Sequence, residues 1–243
     1  MNLIIDVGNT RVKAAVFENN TLLKVLVFEP ESLLNKVDEI IRKNTINAGI
    51  ISSVGRITEN ELLQLHQKAP FLVLNSSTKV PFKNLYITPK TLGVDRIALV
   101  ANAVRKYPEK DVLIIDAGTC ITFDFVNHKK EYLGGAISLG IEMRYKALQN
   151  YTSKLPLLEK DIPKNVIGSS TKESMHSGVI NGVLNEINGV INQYKKENSF
   201  LTVVLTGGDA NFLAKQLKSS IFANPNFVLE GLNTILIYNN TEC

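Results

Sequence analysis

The sequence predicts an α/β protein built from two copies of one unit, with mixed sheets flanked by helices. Three observations lead there. Short apolar runs of strand length alternate with longer stretches of helical periodicity. The run Leu3-Ile4-Ile5-Asp6-Val7-Gly8-Asn9-Thr10 returns as Leu113-Ile114-Ile115-Asp116-Ala117-Gly118-Thr119-Cys120. Each copy is followed by two further strand-like segments with a polar tip between them.

In the first copy those segments are Val12 to Phe17 and Leu22 to Phe28, about the tip Glu18-Asn19-Asn20. In the second they are Ile121 to Val126 and Tyr132 to Ile137, about Asn127-His128-Lys129. Helices fill the rest. Ser32 precedes Leu33, Leu34, Val37, Ile40 and Ile41, spaced for one helix face. Ile46 to Ser52 reads as a buried strand, and Thr58 caps a helix carrying Leu62, Leu63 and Leu65. Thr91 to Tyr107 is helical, with Ile97, Val100, Ala101 and Val104 on one face. Thr171 to Glu197 reads as one long helix, with Val183, Ile187, Val190, Ile191 and Tyr194 along one side. Leu201 to Leu205 is a buried strand, Asp209 caps a helix, and Gly231 to Tyr238 is the last helix. Pro108 interrupts the chain between the copies, which divides it into halves 1–108 and 109–243.

Composition limits the function. Hydrophobic residues are 44% and charged residues 21% of the 243, a balance that supports a packed core. The net charge of +4 is scattered, with no basic stripe of the kind that tracks nucleic acid. Cys120 and Cys243 form no disulfide framework and no zinc pair, and the three histidines have no second ligand at metal spacing. No signal peptide or membrane-length apolar run is present, so the expected compartment is the cytoplasm, with no membrane partner.

The chemistry gathers at glycine turns. In Asp6-Val7-Gly8-Asn9-Thr10-Arg11-Val12-Lys13, glycine lets backbone amides approach a phosphate, Thr10 can donate to it, and Lys13 can neutralise it. Asp6 repels phosphate, so its role is to hold a cation, Mg2+ above all, directly or through water. A plain hairpin turn uses the same residue types. The second copy, Asp116-Ala117-Gly118-Thr119, repeats the device, with Phe123 where the first has Lys13. Facing each other across a cleft, two such turns would clamp a triphosphate. Thr206-Gly207-Gly208-Asp209-Ala210 ends a strand and opens a helix; its glycines allow a flat ligand such as adenosine to approach, and Asp209 also suits a helix cap. In Leu92-Gly93-Val94-Asp95-Arg96, both charged residues fall on a first helical turn off the apolar face. Asp95 there is either a dipole partner or the base that takes a proton from an attacking hydroxyl, and Arg96 can grip an anion. The Walker-type phosphate loop is absent.

At these residues the chain resembles the type III pantothenate kinase family. The motifs are DxGNTxxK (Asp6 to Lys13), LGxDR (Leu92 to Arg96), DxGT (Asp116 to Thr119), GGAIxLG (Gly134 to Gly140), ST-xxx-M-xSG (Ser170 to Gly178) and TGGDA (Thr206 to Ala210). The wider relatives are the actin-like ATPase superfamily, which includes sugar kinases. The resemblance implies two ribonuclease-H-like halves about a central ATP cleft, and phosphorylation of pantothenate as the first step towards coenzyme A. It implies Mg-ATP, a potassium or ammonium ion, and a homodimer. Carried over by motif, Asp6 to Lys13 look like the first phosphate segment and Thr119 a second phosphate contact, with Gly207 and Gly208 beside the nucleotide. Asp95 looks like the catalytic base, and Gly93, Val94, Asp95 and Arg96 line the pantothenate pocket with Tyr86. Asp116 looks like the monovalent-cation ligand. Thr171 looks like another pantothenate contact, one the resemblance allows to come from the partner subunit. Cys120 stands where the family often has alanine. The alternatives are a superfamily kinase for another small alcohol or acid, and a nucleotide-binding regulatory protein without catalysis.

Overall fold

The apolar runs become strands because they can be covered on both faces. Leu3, Ile4 and Ile5 are fully buried, as are Leu113, Ile114 and Ile115. The computed structural model describes residues 1–8, 10–53, 57–217 and 220–241. In chain order the first elements are β1 (Asn2–Val7), β2 (Val12–Glu18), β3 (Thr21–Phe28), α1 (Leu33–Lys43), β4 (Ala48–Ser53), α2 (Glu59–Lys68), β5 (Phe71–Val73), β6 (Lys83–Asn84) and α3 (Val94–Lys106). There follow β7 (Val112–Ala117), β8 (Cys120–Val126), β9 (Glu131–Leu139), α4 (Ile141–Asn150), α5 (Thr171–His176), α6 (Gly182–Glu197), β10 (Thr202–Thr206), α7 (Ala210–Ala214), β11 (Phe222–Ala223) and α8 (Phe227–Thr241).

The duplication seen in the sequence is a duplication of topology. The first sheet runs β3-β2-β1-β4-β5, and the second contains β9-β8-β7-β10-β11 in the same order, with β6 added beside β9. In the first, β1 pairs antiparallel with β2 and parallel with β4. In the second, β10 lies parallel to β7 and to β11. Strands feeding helices and returning parallel are the signature of α/β folding.

The chain divides into two compact units. One holds Met1–Glu109, Val126–Gly134 and the chain from Asn226 on; the other holds Lys110–Phe125 and Gly135–Pro225. The sequence halves assign the last helix to the second copy, whereas α8 packs with the first unit, against α3 and β1. Gly231 permits that packing: a Cβ there would lie 1.9 Å from the Ala98 carbonyl oxygen. Helix α3 is therefore buried on all sides from Arg96 to Val104, not along one face.

Two helices differ instructively from their sequence reading. Residues 171–197 do not form one α-helix; a π-helical turn, Ser177–Asn181, separates α5 from α6. Met175, Val179, Val183, Ile187 and Ile191 are all buried at four-residue intervals. In an α-helix that spacing drifts about 40° per step, and the wider π-turn brings the row back over the core. Thr58 does cap α2, with a full capping box to Glu61. Asp209 occupies the cap position of α7 but its side chain makes no cap bond; it pairs with Lys160 instead.

Candidate active site

In the first unit, β1 carries Asp6 to its last turn before the loop. Antiparallel register sets Lys13 of β2 directly opposite, and parallel register sets Ser52 of β4 on the other side. Cβ atoms at paired positions rise from the same face, so a carboxylate, an ammonium and a hydroxyl share one corner. Ser52 is buried, and its Oγ donates to Asp6 Oδ1 at 2.7 Å. Burial pushes the Asp6 carboxyl above its ordinary value, the Ser52 bond pulls it down, the charge of Asp95 pushes it up, and Lys13 pulls it down; the net direction is upward. The turn closes through Gly8, whose amide donates to the Arg11 carbonyl at 3.1 Å. Thr10 and Arg11 are exposed, and Val12 is fully buried beneath them. Asn9 lies outside the described residues.

Helix α3 brings the second group to this unit. Gly93 is its N-cap, and a Cβ there would sit 2.4 Å from Asp95 Oδ1. The same oxygen accepts the Arg96 amide at 2.8 Å. The Asp95 carboxylate thus folds back over the helix start, and Gly93 is what makes room. Arg96 corrects the sequence reading. It is only 5% exposed, with its guanidinium carbon 5.6 Å above the Tyr86 ring. Tyr86 in turn stacks on the fully buried Tyr132, with centroids 6.1 Å apart and planes at 18°. Gly134, at φ +106°, passes beside the Tyr86 ring. Arginine, tyrosine and tyrosine form one stack, a stiff mount for a cationic fork.

The second unit holds its own corner. Thr206 of β10 registers opposite Asp116 of β7, the position Ser52 holds opposite Asp6. Gly207 (φ +95°) wraps the strand end so closely that a Cβ would lie 2.4 Å from both Asp116 Oδ1 and the Ala117 carbonyl oxygen. The Asp209 amide closes the turn on the Ala117 carbonyl at 2.9 Å. Gly118 donates its amide to the Cys120 carbonyl, Thr119 is exposed, and Gly208 faces open space. Cys120 is partly buried, 4.0 Å from the Met143 sulfur; Cys243 lies outside the described residues. Thr171, in the same unit, is exposed as the first residue of α5.

The structure therefore gathers Asp6, Lys13, Tyr86, Gly93, Asp95 and Arg96 in one unit, and Asp116, Thr119, Gly207, Gly208 and Thr171 in the other. Sequence reasoning missed Ser52, Tyr132 and the register of Thr206 with Asp116. Only Thr206 had a signal, its place in the TGGDA motif; Ser52 and Tyr132 are defined by register and stacking. Two surface depressions in the first unit lie apart from Lys13 and Arg96. The smaller, about 180 Å³, is lined by Glu31 and Glu61, and the larger, about 490 Å³, lies at the other end of β1 and β2.

Comparison with known proteins decides the family. The family model for type III pantothenate kinase matches residues 2–193. A type III pantothenate kinase of Christiangramia forsetii is 48% identical over 243 residues, covering 100% of each chain. One from Flavobacterium johnsoniae is 46% identical over 239 residues, covering 98% of each. This chain belongs to the type III pantothenate kinase family. Solved structures share the fold at low identity. A Campylobacter jejuni protein described as a Baf family transcriptional activator has TM-score 0.65 at 21% identity, over 98% of this chain and 99% of that one. A ROK hexokinase from Thermus thermophilus has TM-score 0.50 at 12% identity, over 100% and 99%. The actin-like kinase fold expected from the motifs is the fold observed.

A kinase of this family uses ATP with a divalent metal. The first corner suits a hard cation. Its carboxylate is strained by burial and by the neighbouring Asp95 charge, and a bound cation relieves both. No cluster of three metal-ligating side chains occurs among the described residues. Among the described residues no helix is long and apolar enough to cross a membrane.

Proposed function

We propose that this chain performs its family's reaction, transfer of the γ-phosphoryl group of ATP to the primary hydroxyl of pantothenate, with Asp95 as the general base. The observation that carries the assignment of the base is the electrostatic neighbourhood of Asp6 and Asp95. Burial first, and after it the charge of Asp95, raises the Asp6 pKa, so two carboxylates from distant parts of the sequence share one neighbourhood in this unit. A phosphoryl-transfer site uses such a pair, one carboxylate for the cation and one for the proton.

The step follows from the geometry of Asp95. Its Oδ1 is held by the Arg96 amide, which leaves Oδ2 for the substrate proton. The pantothenate oxygen bonds to the γ-phosphorus, the bridging β–γ oxygen bond breaks, and ADP departs carrying those electrons. Arg96, mounted on Tyr86, supplies positive charge for the pantothenate carboxylate, with Gly93 and Val94 as backbone lining and Thr171 as a further contact. Asp6 to Lys13 and Thr119 hold the phosphates, and Gly207 and Gly208 lie beside the nucleoside. The divalent metal, when bound, screens phosphate charge; Asp6 is the residue here that would hold it. Asp116 would hold a monovalent cation, potassium or ammonium. The working state is a homodimer, and the cytoplasm, where ATP is available, is its compartment.

The test is an ATP-dependent assay with pantothenate, sugars and acetate as acceptors, with potassium present. Phosphopantothenate as the sole product is expected. Transfer to a sugar and none to pantothenate would reassign the substrate; ATP binding without transfer to any acceptor would favour a regulatory protein.

A further inference from the structure

We propose that the hydroxyl oxygen of Thr206 is a ligand of the monovalent cation at Asp116, an inference that rests on the cation role given to Asp116 above. The two corners occupy equivalent positions, and the hydroxyl beside each carboxylate is used differently. Ser52 is buried and spends its hydroxyl on Asp6 Oδ1. Thr206 is equally buried, 1% exposed, yet its Oγ1 has no hydrogen-bond partner among the described residues. A buried hydroxyl without a partner is costly, and such groups in folded proteins point to a ligand or an ordered water. Parallel register puts this one on the strand position opposite Asp116, and side chains at paired positions share a face.

The chemistry of the corner favours a singly charged ion. Gly207, lacking a Cβ, lets the chain after β10 lie directly against Asp116 Oδ1 and the Ala117 carbonyl oxygen, where a Cβ would fall 2.4 Å from each, so these oxygens and the Thr206 hydroxyl gather at neighbouring strand ends. The carboxylate of this corner, Asp116, balances one positive charge. Hard cations complete their shell with neutral oxygens, and a hydroxyl is one. The repeat adds a reason. The first corner has Lys13 on its returning strand, and the second has Phe123 there, a buried ring. A bound monovalent ion supplies the charge that the lysine supplies in the other half.

The test reads the unfolding midpoint of the full chain while KCl is titrated against choline chloride at constant ionic strength, with excess ADP held fixed. Wild type, Thr206→Val, Thr206→Ser and Asp116→Asn are compared. The potassium concentration giving half the stabilisation is expected to rise about tenfold or more in Thr206→Val, the loss of one hydrogen-bond-strength contact to a charge. Thr206→Ser, which keeps the oxygen, should stay near wild type. If Thr206→Val fails to fold, Thr206→Ala read against Thr206→Ser gives the same comparison. A potassium response lost in Asp116→Asn but unchanged in Thr206→Val overturns this inference and spares the role of Asp116; the hydroxyl then binds water alone. A wild type indifferent to potassium overturns both.

Discussion

The two units carry the same strand order and the same acidic corner, yet the corners are finished differently. In the first, Asp6 is matched within the protein by Ser52 and Lys13, and its burial is opposed by hydrogen bonding and charge. In the second, Gly207 lies against Asp116, the Thr206 hydroxyl has no partner among the described residues, and phenylalanine replaces the lysine. Duplication supplies two frames of equal geometry. Side-chain choice then gives the two corners different charge and different use of their hydroxyls. The first unit alone adds α3, whose start delivers Asp95 and Arg96. That asymmetry predicts where substitutions hurt most.

The largest effect belongs to Asp95. Asp95→Asn preserves volume and leaves an oxygen to accept the Arg96 amide, so the helix start should survive. Turnover should fall about a hundred- to ten-thousand-fold, the contribution of a positioned base, while the dissociation constant for ATP stays within about threefold. Steady-state kinetics with nucleotide binding by calorimetry separates these. Wild-type turnover would remove Asp95 from the role of base and the first unit from its chemical priority.

The glycines sharpen the comparison. Gly207→Ala puts a Cβ against Asp116 and Ala117 at a positive φ, so it should destabilise the second unit by about 1–3 kcal/mol and weaken nucleotide binding. Gly118→Ala, in the repeated turn, meets nothing closer than 3.9 Å and should leave the unfolding midpoint nearly unchanged. Gly8→Ala meets the Arg11 carbonyl oxygen at 3.1 Å and should fall between them. If Gly118→Ala folds normally but binds ATP weakly, the loss reports close approach of phosphate to the backbone. If it binds ATP as wild type does, that turn does not touch the phosphates.

The same contrast explains what could be read from sequence. The strands β1 to β3 and β7 to β9 are legible because apolar runs, polar tips and the repeat agree. β5, β6 and β11 span two or three residues, too short for any periodicity. α4 went unread because only Ile141 and Tyr145 are buried, a stripe too thin to register. The π-turn is invisible to a search that assumes one helical period. At the site, Asp6, Lys13, Asp95 and Arg96 were legible as motif residues. Ser52 was not, since its place beside Asp6 exists only once β4 pairs with β1, and Tyr132 acquires meaning only under Tyr86. The burial of Arg96 is not legible in the sequence because its cover, the Tyr86 ring stacked on Tyr132, comes from outside α3.

The smallest effect is a matter of stability. Asp6 has its pKa raised in the fold, so the native state keeps this proton to higher pH than the unfolded chain. Between the two values the native state binds more protons, and stability must fall as pH rises through the window, then level off. Glu39, Glu131, Glu142 and Glu173 are shifted down by their hydrogen-bond partners and contribute the opposite slope, but they are common to wild type and variant and cancel in a difference curve. Asp6→Asn removes the charge while keeping an acceptor for Ser52. Without nucleotide the variant should unfold a few degrees higher than wild type at neutral pH, with the gap closing as pH drops into the carboxylate range. With saturating Mg-ATP the order should reverse, because only wild type gains the binding stabilisation. A variant that is less stable without nucleotide would mean that Asp6 serves the fold, and the first corner would lose its claim to be the cation-bearing one.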